Sequence, residues 1–311
     1  MDKVKAARAY SRFLREYIPA VARARRPGDD HLFLEVAYRV FFNRKPDVIG
    51  RDSYLRMLGD GTLNRFGILK DMLVSPECEI VYGLPIHPMD ALHKARVLLV
   101  QQHLPEAEVI VDLGGAAREG EDPKGALLGM GYPYKPKEII IVDLPPDERM
   151  WAGAENTQSF VTPDGIKIRY LYGSMADLSP LPDASADLVF SGESIEHISE
   201  EDGDRVCREA FRVLKPGGYF CLDTPNAALT RIESPDELTH PEHQKEYYVH
   251  ELRDKLVRWG FRVVEEKGVV PMPKSLKRGR FDVTEMSYNV RITDAPEAAY
   301  VFFIKAVKPA A

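Results

Sequence analysis

Apolar positions recur every three to four residues over the first quarter of the chain. Val4, Ala7, Tyr10, Phe13, Leu14, Tyr17, Ile18 and Val21 fall on one helical face, and Pro27-Gly28-Asp29-Asp30 should end that helix. From Leu32 to Glu79 the period stays helical, broken at Lys45-Pro46-Asp47 and Gly59-Asp60-Gly61, with no strand candidate. A small all-α module over residues 1–85 is therefore expected, with Asp47 capping the helix that follows the first break.

From about His87 the pattern changes. A helix through Ala91–Val100 leads into the apolar run Glu108–Asp112. Further strand candidates follow at Ile139–Val142, Ile166–Tyr172, Leu188–Ser191, Tyr219–Asp223, Phe261–Glu265 and Tyr300–Lys305, with helical segments between. Seven strands alternating with helices predict an α/β domain over residues 86–311, with a parallel sheet covered by helices on both faces.

Composition narrows the function classes. The chain has 311 residues, 44% hydrophobic and 29% charged, and no apolar run of the ~20 residues that a membrane span needs. A net charge of −6 disfavours nucleic acid as the main partner. Cys78, Cys207 and Cys221 lack metal-ligand or redox spacing, as expected of reduced thiols in a cytoplasmic protein.

Two strands end in acids. Val109-Ile110-Val111-Asp112 runs into Leu113-Gly114-Gly115-Ala116, where small residues admit a ligand close to the backbone, and Ile139-Ile140-Ile141-Val142-Asp143 ends in a carboxylate suited to two ribose hydroxyls. The first turn lacks the glycines that a pyrophosphate demands, which argues against a dinucleotide. Asp112-Leu113-Gly114-Gly115 with Asp143 resembles the cofactor motifs of class I S-adenosylmethionine-dependent methyltransferases. The later segments Tyr172–Asp183, Asp187–Ser191 and Arg212-Val213-Leu214-Lys215-Pro216-Gly217-Gly218 resemble further motifs of that family, in the same order. The resemblance implies a Rossmann-like seven-stranded sheet and S-adenosylmethionine as cofactor. It places Asp112, Gly114, Gly115, Ala116, Arg118, Asp143, Ser174, Met175 and Ser191 around that cofactor. Ala116 and Arg118 stand where the family usually has glycines, and residues 119–136 form a longer connection than usual.

A second constellation follows strand four. Glu193, Glu196 and His197 are spaced i, i+3, i+4 and would share one face of a helix start, and His240-Pro241-Glu242-His243 lies beyond strand five. Two carboxylates with imidazoles suit a divalent ion. The set resembles that of metal-dependent small-RNA 2′-O-methyltransferases, and its first half that of ubiquinone-pathway O-methyltransferases. By that resemblance Glu193, Glu196, His197 and His243 hold Mg²⁺ or Mn²⁺, and without an ion His197 or His243 becomes the general base, with Glu193 the third catalytic candidate. The wording Ser191–His197, Cys221–Asn226 and His240–His243 is similar to methyltransferases of surface-polysaccharide synthesis, which implies O-methylation of a sugar or glycan, with a vicinal diol as the chelating acceptor. An RNA ribose or a small catechol or macrolide sugar are the alternative acceptors, and Lys274, Lys277, Arg278 and Arg280 are the one dense basic cluster near this domain. Residues 38–47 and 72–77 resemble a phycobilisome-linker-like helical module, which implies a protein partner or self-association.

Overall fold

The computed structural model describes residues 30–42, 44–73, 75–81, 86–116, 122–149 and 159–310. The expected first helix over Val4–Val21 and the candidate Arg118 lie outside them. The chain divides into two compact units between Ala91 and Leu92.

The first unit is helical. Its elements are α1 (Asp30–Phe42), α2 (Val48–Gly59), α3 (Arg65–Leu73) and α4 (Pro76–Val81). Phe33, Leu34, Ala37, Tyr38 and Phe41 of α1 interlock with Ile68, Leu69 and Met72 of α3 and with Cys78. Asp47 caps α2 by accepting from Gly50 N, as its place after Pro46 predicts. Arg44 reaches both Asp47 and Glu77, tying the α1–α2 break to α4.

The second unit is an α/β fold with a Rossmann-like sheet. After α5 (Pro88–His103) come β1 (Val109–Leu113), α6 (Ala126–Gly129), β2 (Glu138–Asp143), β3 (Phe160–Val161), β4 (Lys167–Tyr172) and β5 (Ala186–Gly192). Then follow α7 (Glu200–Val213), β6 (Leu214–Pro225), α8 (Ala227–Glu233), α9 (Val249–Arg258), β7 (Arg262–Pro271), α10 (Pro273–Arg278), α11 (Val283–Ser287), β8 (Ile292–Thr293) and β9 (Ala299–Val307). The sheet order is β3-β4-β2-β1-β5-β6-β9-β7-β8. Seven of these strands are the expected ones, and β3 and β8 are two-residue additions at the edges.

Strand alternation explains the two helical layers. Val111, Leu113, Ile140, Val142 and Val189 point to one face, against Val206 and Ala210 of α7 and Leu252 and Leu256 of α9. Their neighbours Ile110, Ile139, Ile141, Leu188 and Phe190 point to the other, against Ala95 and Leu99 of α5 and Leu229 of α8. The expectation of a parallel sheet needs correction: the short edge strands β3 and β8 pair antiparallel with β4 and β7, and one of the expected strands departs as well. β9 enters between β6 and β7 antiparallel to both. Pro271 at the end of β7 pairs with Ala299 at the start of β9, so the α10–β8 connection begins and ends at one edge of the sheet. A parallel partner would need a crossover back to the opposite edge.

Candidate active site

The carboxyl ends of β2, β1, β5 and β6 lie side by side, with Leu113 paired to Val142 and to Ser191 and Gly192 paired to Asp223. Open α/β sheets bind ligands at this edge. Asp112 is buried there, and burial, helped by the charge of Asp143, pushes its carboxyl up to about 7. Its Oδ2 has no hydrogen-bond partner among the described residues. Gly114 follows at φ 74°, in the left-handed region, and donates to Val142 O at 2.8 Å. A Cβ on Gly114 would come within 2.7 Å of Ser194 Cβ, and one on Gly115 would overlap the Asp112 carboxylate. Both positions therefore require glycine.

Asp143 accepts from Ala116 N at 3.1 Å and from Leu144 N at 2.8 Å. These bonds fix the carboxylate at the lip of the β1 turn, and burial raises its pKa. Arg149 was not among the residues expected at this site. Its Nε lies 3.4 Å from Asp143 Oδ1 and donates to Leu144 O, and its guanidinium lies 5.9 Å from the centre of the Tyr172 ring. Nothing in its spacing sets Arg149 apart from other surface arginines. Met175 comes close to Gly114, its Cε 3.7 Å from where a Cβ would stand. Ser174 Oγ accepts from Ala176 N and shapes that loop. Ser191 has no exposure: its hydroxyl shares a 2.7 Å bond with Ser194 Oγ, which also bonds Leu113 O. It locks β5 to the β1 turn.

The segment after β5 differs from the expected helix start. Glu193 has φ 52°, Ile195–His197 form a single 3₁₀ turn, and α7 begins at Glu200, capped by Ser199. Glu193, Glu196 and His197 therefore do not share a helical face. Glu193 N donates to Asp223 O at 2.8 Å, and its carboxylate is buried in the field of Arg96 and Asp223 with Oε1 unpartnered among the described residues. Arg96 of α5 bonds the fully buried Asp223 at 2.5 Å. Glu196 is buried too and accepts from Thr224 Oγ1 at 2.8 Å. Burial raises both glutamates above the usual carboxylate range, against the pull of Arg96 and with the charge of Asp223 at Glu193, and with the charge of Glu193 at Glu196.

His197 goes another way. Its ring lies 5.0 Å from that of His243 and 6.1 Å from that of His240, and one nitrogen from each of the three falls within 4.8 Å of the others. Burial, with the neighbouring imidazoles, lowers the His197 pKa. The structure thus joins His197 and His243 with His240, which the four-ligand expectation omitted, and places Glu193 and Glu196 outside that group. Behind it Glu246 bonds His243 Nδ1 at 2.8 Å and accepts from Thr230 Oγ1, Thr239 N and Thr239 Oγ1. These donors bring its carboxyl down to about 2 against the opposing effect of burial. Gln244 N and Lys245 N both donate to Glu196 O, lashing the histidine loop to the 3₁₀ turn.

A family model described as a methyltransferase domain matches residues 126–222. The matched stretch runs from α6 to β6 of the α/β unit and is similar to that methyltransferase domain. A protein of Mycolicibacterium smegmatis named a probable S-adenosylmethionine-dependent methyltransferase is 40% identical over 98 residues, 32% of this chain and 37% of that one. A dimethylglycine N-methyltransferase of Parasynechococcus marenigrum is 42% identical over 77 residues, 21% of this chain and 26% of that protein. Each match spans under two fifths of the relative's own length. A solved methyltransferase from Archaeoglobus fulgidus covers 72% of this chain and 95% of its own at 17% identity and a TM-score of 0.45. The segment matched by the methyltransferase-domain model takes in Asp143, Ser174, Met175 and Glu193–His197. It leaves out the glycine turn and the His240–His243 loop, so those two stand on geometry.

Proposed function

We propose that the chain transfers the methyl group of S-adenosylmethionine to a hydroxyl of a sugar or glycan, with a vicinal diol as acceptor and a divalent ion at the imidazole cluster. The observation that carries this reading is the turn Ser194–His197. Ser194 closes on Gly114 at one end of it, and His197 stands in the imidazole cluster at the other. On this reading the donor and acceptor positions are one turn apart on a single segment.

The residues at the donor end fit the cofactor. Gly114 and Gly115 leave the backbone bare, Asp143 offers a fixed carboxylate to ribose hydroxyls, and Met175 lies beside the turn. When bound, the cofactor supplies a methyl group on a sulfonium, an electrophile that needs an aligned nucleophile more than it needs a strong base. A sugar hydroxyl is a weak nucleophile; His197 and His243 would hold a divalent ion, which would supply the Lewis acidity that lowers a hydroxyl pKa. Glu193, raised by burial and with an unpartnered oxygen, is a stronger base than an exposed carboxylate and takes the hydroxyl proton.

The test offers methyl-labelled S-adenosylmethionine to diol sugars, glycans, an RNA and small amines. Label on a sugar hydroxyl is the expected result. Label on nitrogen or on RNA alone overturns the acceptor, and absence of S-adenosylmethionine binding by calorimetry overturns the donor.

A further inference from the structure

Oxygen-rich ligation was expected, yet three imidazoles meet and the two carboxylates lie apart from them. We propose that the chain binds a divalent transition metal of the zinc or cobalt kind through His197, His240 and His243, with Glu246 orienting His243 from behind. The inference deepens the function proposed above and rests on it for what the ion does. Binding of the ion stands on the three rings alone.

An ion at the usual metal–nitrogen distance, about 2.0–2.1 Å, in tetrahedral geometry sets its ligand nitrogens about 3.4 Å apart. The three nitrogens already lie within 4.8 Å of one another, so small side-chain rotations close the set. The backbone is prepared for it. His243 N donates to His240 O at 3.1 Å, holding both residues on one tight turn, and that turn is lashed to Glu196, the neighbour of His197. His243 Nδ1 is taken by Glu246, which fixes the tautomer with Nε2 as the free donor. Glu246 is itself held by two threonines, an outer shell built before any ion arrives. Glu242 Oε2 stands 4.0 Å from Nδ1 of both His197 and His240, a second carboxylate outside the ligand atoms.

Three neutral nitrogens and no ligating carboxylate favour zinc or cobalt over magnesium, which prefers oxygen and near-ideal octahedra. Three protein ligands also leave positions open, and two adjacent hydroxyl oxygens of a diol fit them. His240 is the weakest of the three, because its Nδ1 accepts a long 3.3 Å bond from Glu242 N that competes with ligation.

The experiment strips the full chain with a chelator and titrates it with Co²⁺, followed by visible absorption, and with Zn²⁺ by calorimetry, both without methyl donor. One ion per chain is expected, and a thousandfold excess of Mg²⁺ does not displace it. His197→Ala and His243→Ala lose more than roughly a hundredfold in affinity, while His240→Ala and Glu246→Gln lose roughly ten- to a hundredfold. His250→Ala, an exposed histidine elsewhere, changes nothing. Circular dichroism confirms that each variant is folded, and His240→Gln repeats the test with a side chain closer in size. No binding of either ion overturns the proposal. So does displacement by Mg²⁺ at equal concentration, or unchanged affinity in folded His240→Ala. S-adenosylmethionine binding is measured on the same samples: its absence with metal binding intact overturns the methyl-donor reading alone.

Discussion

Asp112, Asp143 and Glu193 are acids that the fold buries at a cost. An enzyme retains such groups where its chemistry needs them, and their removal commonly stabilises the protein. Asp143→Ala should lower S-adenosylmethionine affinity roughly ten- to a hundredfold, the loss of one charge-assisted hydrogen bond at about 1.5–3 kcal/mol. Calorimetry decides it, and unchanged affinity removes Asp143 from the donor site. Gly115→Ala is expected to act at the same place by steric overlap, because the new methyl group displaces the Asp112 carboxylate. Its binding should fall with Asp143 intact. Glu193→Gln should raise the thermal midpoint, since a buried, raised carboxyl becomes a neutral amide, and should abolish transfer without affecting donor binding. These acids were legible in the sequence as strand ends. Their surroundings were not: Arg96 meets Asp223 from 127 positions away, and no local spacing encodes that pair.

At the scale of elements, the decisive piece is the stretch between β5 and α7. Spacing i, i+3, i+4 suggested a helix, but Glu193 sits in left-handed backbone and Ile195 is buried in the core, so the chain makes one 3₁₀ turn and starts its helix later. Ser199 sets that start by accepting from Asp202 N. Ser199→Ala should cost about 1 kcal/mol of stability, read from chemical denaturation, with S-adenosylmethionine affinity retained. If the midpoint does not move, α7 is held by packing alone. The Asp47 cap in the helical unit was readable in advance because capping is local chemistry. The antiparallel entry of β9 was not, since it depends on which edge of the sheet the α10–β8 connection returns to.

For the whole molecule, two sets of carboxylates give stability a shape in pH. Glu265, paired with Lys305 and His103, and Glu138, paired with Lys167 and Arg169, are held below the usual carboxylate value. The unfolded chain binds more protons at these sites, so their stabilisation is present above the ordinary carboxyl pKa and is lost as pH falls. Asp112 works in reverse. Its folded carboxyl, at about 7, keeps a proton that the unfolded chain releases near 4, so stability falls as pH rises between those values. Thermal midpoints should therefore climb out of acid and then decline toward neutrality, and Asp112→Asn should flatten the decline. An unaltered profile in that variant would show that Asp112 is ionised in the native state. No helix among the described residues is long and apolar enough to cross a membrane, consistent with the apolar pattern of the chain. By itself, the sequence determined the helices of the described part of the first unit, seven of the nine described strands, the two-faced burial of the sheet and the acids at its carboxyl edge. Each of these follows from a period or a strand end that neighbouring residues alone can express. Tertiary structure alone decided that Ser194 closes on Gly114, that Arg149 stands beside Asp143, and that His240 rather than Glu193 or Glu196 joins His197 and His243. Those meetings depend on strand register and on a few turn dihedrals, and both come from packing across the whole sheet.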